Sequence, residues 1–139
     1  DVLSRAGALS DVIVGNDDEF GFMAGSKGAG LQKACDLANT TAAIVVYKMG
    51  EHGAVTFANG EETRTGIYRV TALKPTGAGD SFMAGMLSSI AAGHDLKSAV
   101  MRGSACAAIV VAKPGCAPAM PITSELDAFL ASHAGPTTT

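Results

Sequence analysis

The β-branched apolar run Thr40–Tyr47 is the feature that most constrains what this chain can fold into. Its Ile, Val and Tyr residues show no polar alternation, so the run reads as a strand buried on both faces, which requires helices on either side of a sheet. Upstream, Ala29–Ala38 places Leu31, Ala34, Leu37 and Ala38 at helical spacing. Asp11–Val14 is a shorter apolar segment that ends at Gly15, which predicts a strand followed by a turn. Asn16 and Asp17 are capping residues for a helix over Asp18–Ala24, which Gly25 stops. Strand, helix, helix, strand in this order predicts an α/β fold with a partly parallel sheet flanked by helices.

Beyond the buried run, Lys48–Gly53 is a loop with two glycines. Ala54–Ala58 and Gly66–Val70 read as the strands of a hairpin around the polar turn Asn59–Gly60. A Gly-rich turn, Pro75–Gly79, opens a helix from about Ala78 to Ala92, with Phe82, Met86 and Ile90 four residues apart and Gly93 at its end. Leu96–Ala112 is a second apolar helix, and Ser124–Ser132 a third with Ser124 as cap. These segments read as one domain over 1–134, and 135–139 as a disordered tail.

Composition removes several classes of function. The net charge is −3 and aromatic residues make up 5% with no Trp, so neither a basic surface nor a stacking platform for nucleic acid is encoded. The longest apolar runs fall well short of the ~20 residues that cross a bilayer, and no signal peptide precedes them, so no membrane partner is expected. Three cysteines without CxxC spacing, and three scattered histidines, argue against a disulfide framework or zinc site and suit a reducing cytoplasm. Asp1 stands where an initiator Met would, which points to a processed, truncated or incomplete chain.

The chemistry concentrates in Thr76-Gly77-Ala78-Gly79-Asp80, which runs directly into an amphipathic helix. Without side-chain bulk, backbone N–H groups can converge on one anion, and the helix N-terminus adds its positive end. A phosphoryl group suits that environment, and Asp80 beside it can accept a proton from a hydroxyl. No Gly-Lys-Ser/Thr follows, so this is not a Walker A loop.

With its flanks, Lys74-Pro75-Thr76-Gly77-Ala78-Gly79-Asp80 and Ala84-Gly85-Met86-Leu87, the turn resembles the C-terminal signature of the PfkB (ribokinase-like) carbohydrate kinase family. Asn16-Asp17-Asp18-Glu19 resembles the family's Asn-x-x-Glu motif, Lys48–Gly53 its Gly-x-x-Gly nucleotide loop, and Arg102–Pro121 the helix and loop that wall the adenine pocket. The resemblance runs from about Asp11 to Leu130. It implies a ribokinase-like fold, this chain forming the C-terminal portion of a three-layer αβα domain. It also implies ATP and Mg²⁺ as cofactors, with a small sugar or sugar acid as substrate.

The same resemblance distributes the roles. Asp80 would be the catalytic base, and the backbone of Gly77, Ala78, Gly79 and Asp80 the anion hole. Asn16 and Glu19 would act on the Mg²⁺–phosphate assembly, Glu19 through metal-bound water. Taken without the family, those two residues read equally as a capping box. Lys48, Gly50 and Gly53 would lie along the nucleotide, and Ser104 near the adenine. Many members hold a monovalent cation beside the anion hole with an acidic residue six positions before the base. Here that position is Lys74, and a second ligand position is Ala119, which makes cation binding doubtful. The Lys74 ammonium would repel K⁺ and could replace its charge.

Lys74 and Gly115-Cys116-Ala117-Pro118-Ala119-Met120-Pro121 are most similar to the 5-dehydro-2-deoxygluconokinases of inositol catabolism, with 2-dehydro-3-deoxygluconokinases and fructokinases as the alternatives. Family members are about twice as long as this chain. Their N-terminal half supplies most of the sugar pocket and a lid. The expectation is therefore a kinase portion inactive by itself, which needs that half or a homo-oligomeric partner. A non-catalytic nucleotide-binding fragment is the reading from a different class.

Overall fold

A computed structural model describes residues 2–136; Thr137–Thr139, part of the expected tail, lie outside them, and Gly135 and Pro136 have no regular structure. The chain divides into two compact units, Asp1–Arg64 and Thr65–Thr139.

The first unit begins with a short helix, α1 (Val2–Gly7), that the sequence reading did not anticipate. Strand β1 (Val12–Asn16) follows, then α2 (Asp17–Ala24), a 3-10 turn (Lys27–Ala29) and α3 (Gly30–Thr41). Asn16 alone caps α2: its Oδ1 accepts the Glu19 N–H at 2.8 Å and the Glu19 Oε2 accepts the Asn16 N–H at 2.7 Å. Gly25, at φ 73°, closes the helix as expected.

The buried strand is shorter than its apolar run suggests. β2 covers Ile44–Lys48, while Thr40 and Thr41 end α3, their hydroxyls donating to the Asp36 and Leu37 carbonyls at 2.7 and 2.6 Å. This back-bonding lets two β-branched residues finish a helix that Ala42, in the left-handed region, terminates. β1 and β2 are parallel, Val12 opposite Ile44 and Asn16 opposite Lys48, so α2 and α3 form the crossover. β2 then pairs antiparallel with β3 (Ala54–Ala58), in the sheet order β1-β2-β3-β4.

β4 is Glu61–Thr65, not Gly66–Val70. Asn59 and Gly60 both take positive φ, 53° and 78°, and so form a two-residue hairpin turn whose return strand begins at once. The return strand is almost wholly polar. Its pairing rests on backbone hydrogen bonds, which hydrophobic alternation does not reveal.

Register places Val45 opposite Phe57 and Tyr47 opposite Val55; these four pack with Phe20, Ala34 and Leu37 into the first core. Val46 and Thr56, also partners, point to the other face and are buried too, so the strand is covered on both sides as its composition requires. The Thr56 hydroxyl has no hydrogen-bond partner among the described residues.

The second unit holds α4 (Ala78–Ala91), α5 (Leu96–Val111) and α6 (Thr123–Ser132). α4 and α5 approach closely because Gly85 and Gly103 have no side chain: a Cβ at Gly103 would lie 2.7 Å from the Phe82 carbonyl oxygen. Tyr68, Cys106, Ile109 and Leu126 form the core between α5 and α6, where burial pushes the Cys106 thiol pKa up. Arg102 ties the three helices together through Ser89 Oγ (3.1 Å) and Asp127 Oδ1 (2.9 Å). Ser124 is not the cap of α6; Glu125 Oε2 instead accepts the N–H of Ile122, the residue before the helix, at 3.1 Å. No helix among the described residues is long and apolar enough to cross a membrane.

Candidate active site

The expected site residues fall in both units. In the first, Asn16 ends β1 and Lys48 ends β2, and the two are register partners at the carboxyl edge of the parallel pair. That edge is where α/β sheets generally bind ligands. Glu19 stands exposed in the first turn of α2, with its Oε2 accepting the Asn16 N–H.

Gly15 makes this arrangement possible. A Cβ there would lie 2.8 Å from the Phe20 ring and 3.2 Å from Glu19 Oε2. Nothing in the sequence marked Gly15 as more than a strand end. After Lys48 the chain folds into a 3-10 turn, Gly50–His52, closed by the Met49 N–H donating to the Gly53 carbonyl at 2.8 Å. Gly50 and Gly53 sit at φ 56° and 86°, where a side chain would be strained. Both glycines are thus required by the turn itself.

In the second unit, Gly77 precedes α4 at φ 88° and Asp80 is exposed in the first turn. The Ala78 N–H donates to the Pro75 carbonyl at 3.2 Å and the Ser81 N–H to the Gly77 carbonyl at 3.0 Å. The Gly79 and Asp80 N–H groups lie between them, in the first turn, where no intrahelical partner exists. The open donors are therefore fewer than the four backbone groups expected, since Ala78 is already engaged. Asp80 thus stands at the positive end of α4.

Lys74 Nζ donates to the Thr76 carbonyl at 2.8 Å, so the ammonium lies against the segment that enters the turn. The Leu73 and Lys74 N–H groups both donate to the Val111 carbonyl, at 2.7 and 3.3 Å, which ties that segment to the end of α5. Ser104 is buried on α5, its hydroxyl directed at the Gly66 carbonyl 3.5 Å away. Its side chain therefore faces the interior of its own unit. Cys116, which the sequence shows as one of three cysteines without CxxC spacing and as part of a signature, packs against Gly77. Spacing alone cannot reveal a contact across thirty-nine residues of chain.

The model of the pfkB family of carbohydrate kinases matches residues 1–123. The chain belongs to that family. Within the family, 5-dehydro-2-deoxygluconokinase from Bacillus licheniformis is 33% identical over 126 residues, covering 89% of this chain and 39% of the relative. The enzyme of the same name from Listeria innocua is 36% identical over 125 residues, 88% of this chain and 38% of the relative. The chain thus spans about two-fifths the length of the curated relatives it matches.

Solved pfkB-type structures share the fold. Ribokinase from Thermotoga maritima superposes with a TM-score of 0.82 at 25% identity, over 91% of this chain and 44% of that one. Fructokinase from Vibrio cholerae, solved with fructose, ADP and calcium ion bound, gives a TM-score of 0.80 at 28% identity, over 92% and 43%. The α/β architecture expected from the sequence is therefore a ribokinase-like fold.

Proposed function

We propose that this chain carries the catalytic base, the anion hole and the nucleotide-contacting residues of an ATP-dependent sugar-acid kinase, with 5-dehydro-2-deoxygluconate as the acceptor. The observation that carries the reading is the start of α4. There, unclaimed N–H groups of Gly79 and Asp80 adjoin an exposed carboxylate at a helix N-terminus. The names of the curated relatives support the choice of acceptor.

Asp80 accepts the proton of the acceptor hydroxyl as that oxygen attacks the γ-phosphorus of ATP. The Gly79 and Asp80 N–H groups, oriented by the Gly77 turn, hold the oxygens of the moving phosphoryl group. Lys48 and the turn through Gly50 and Gly53 lie along the nucleotide phosphates. Ser104 supports the adenine side from within α5, through the backbone it holds.

The residues present fit Mg²⁺. Asn16 and Glu19 stand together at the start of α2, and Glu19 has one carboxylate oxygen beyond its cap bond. Such a donor set suits a cation that keeps most of its waters. When bound, Mg²⁺ neutralises phosphate charge; Asn16 and Glu19 would act on the Mg²⁺–phosphate assembly, Glu19 through metal-bound water.

Transfer needs a sugar pocket and exclusion of water in addition to these residues. Turnover therefore belongs to the native gene product, or to this chain with a complementing partner. The test separates two measurements, Mg·ATP affinity and sugar-dependent ADP release. Asp80→Asn should lower kcat by at least ~10²-fold with ATP affinity unchanged. Near-parental kcat removes Asp80 as base. ATP binding without any phosphorylation by the native product supports a non-catalytic nucleotide-binding protein.

A further inference from the structure

Gly77 is enclosed by the loop that follows α5. A Cβ at this position would lie 2.6 Å from Cys116 Sγ and 3.3 Å from Val110 Cγ1. The sulfur is thus in close contact with the backbone of the turn, and the space between is too small for one added carbon. Cys116 itself is well anchored. Its carbonyl accepts the Ala119 N–H at 3.1 Å within the 3-10 turn Ala117–Ala119, and Ala119 is buried. Gly115, at φ 84°, folds this loop back onto Pro118.

We propose that Cys116 is a positioning residue for phosphoryl transfer: its Sγ backs the Gly77 turn and thereby sets where the Gly79 and Asp80 N–H groups point. The inference rests on the anion-hole reading above. The Gly77 carbonyl accepts the Ser81 N–H, so displacing Gly77 rotates the first turn of α4 as a unit. The Lys74 bond to the Thr76 carbonyl restrains the turn on its entering side, and Cys116 restrains it at Gly77. A side chain the size of a thiol completes the contact. A branched one pushes the turn outward, and misplacement by a fraction of an ångström is costly where donors must meet a developing charge.

The test uses the native gene product with ATP and 5-dehydro-2-deoxygluconate, alongside amide NMR of the same protein. Cys116→Ser, nearly isosteric, should keep kcat within about twofold. Cys116→Val should lower kcat at least ~10-fold while KM for ATP stays within about threefold, and should shift the amides of 77–80 but not those of α6. A role in folding alone would not separate kcat from KM in this way. A folded Val variant with parental kcat and unshifted 77–80 amides overturns the proposal.

If the Val variant does not fold, methyl methanethiosulfonate applies the same displacement after folding. In a Cys35→Ser background the Cys116 thiolate displaces methanesulfinate and gains an S–CH₃ group. Complete labelling with unchanged 77–80 amides refutes the contact, and kcat should return on reduction. If the parent phosphorylates no sugar, the kinase reading falls while the amide shifts still decide the role of Cys116 in the turn.

Discussion

The contact between α4 and α5 makes Gly103→Ala a sharp test of the packing in the second unit. In an isolated helix this exchange stabilises by about 1 kcal/mol, because alanine loses less backbone entropy. At position 103 the new Cβ would meet the Phe82 carbonyl oxygen at 2.7 Å, the Met86 Cβ at 3.2 Å and the Met86 N at 3.4 Å. Two of these atoms are backbone, so no side-chain rotation relieves the overlap and the helices must separate. Overpacking of this kind costs about 1–3 kcal/mol, and separation also loosens the Gly85–Cys106 contact, so the net expectation is a loss of about 1–2 kcal/mol. The control is Gly28→Ala: a Cβ there meets nothing within 4 Å, and Gly28 lies outside the positive-φ region. Urea unfolding followed by circular dichroism, with m-values compared, gives both changes. A Gly103→Ala protein as stable as the parent would refute the close approach of α4 and α5.

Three further outcomes follow from the geometry. Thr56→Val removes a buried hydroxyl that has no partner and keeps the shape, so it should stabilise by about 1 kcal/mol in the same unfolding assay; a loss of stability would mean the hydroxyl is satisfied. The Ser98 hydroxyl and backbone N–H donate to Asp95 at 2.5 and 2.9 Å and hold its carboxyl below the usual carboxylate range. Its contribution is therefore present above the unfolded value near pH 4 and fades as pH falls through the folded one. Asp95→Asn, which still caps but does not titrate, should flatten the acid limb of the stability curve; an unchanged limb rejects the assignment. With the Lys74 ammonium held on the Thr76 carbonyl, activity of the native product should be nearly equal in potassium and tetramethylammonium salts. Lys74→Asp should make it potassium-dependent, and several-fold activation of the parent by potassium would count against Lys74 as the resident cation.

Much of this architecture was legible because local rules carried it. The Asn16 cap with Glu19 three residues on, the stop at Gly25, the turn at Asn59-Gly60 and the Gly-rich entry to α4 each depend on a few adjacent residues, and the chain adopts them. The motif resemblance was legible for the same reason: Gly77–Asp80 and Asn16–Glu19 are contiguous patterns whose chemistry needs their spacing. The chain departs from its local preferences where a preference has two outlets. Thr40 and Thr41 favour strands, but their hydroxyls could also bond carbonyls one helical turn back, and α3 continued through them. Glu61–Thr65 offered no apolar alternation, yet the hairpin turn dictated that a strand begin there.

What only the tertiary structure decided are the contacts between distant segments. The register that sets Asn16 opposite Lys48, the burial of Ser104 over the Gly66 carbonyl, the lack of room for a side chain at Gly103 and the Cys116 sulfur behind Gly77 all join residues many positions apart. Propensity and spacing describe how a residue treats its neighbours along the chain. Whether a glycine is a turn, a cap or the only residue that fits depends on which atoms a distant segment brings within 3 Å of it, and folding supplies them.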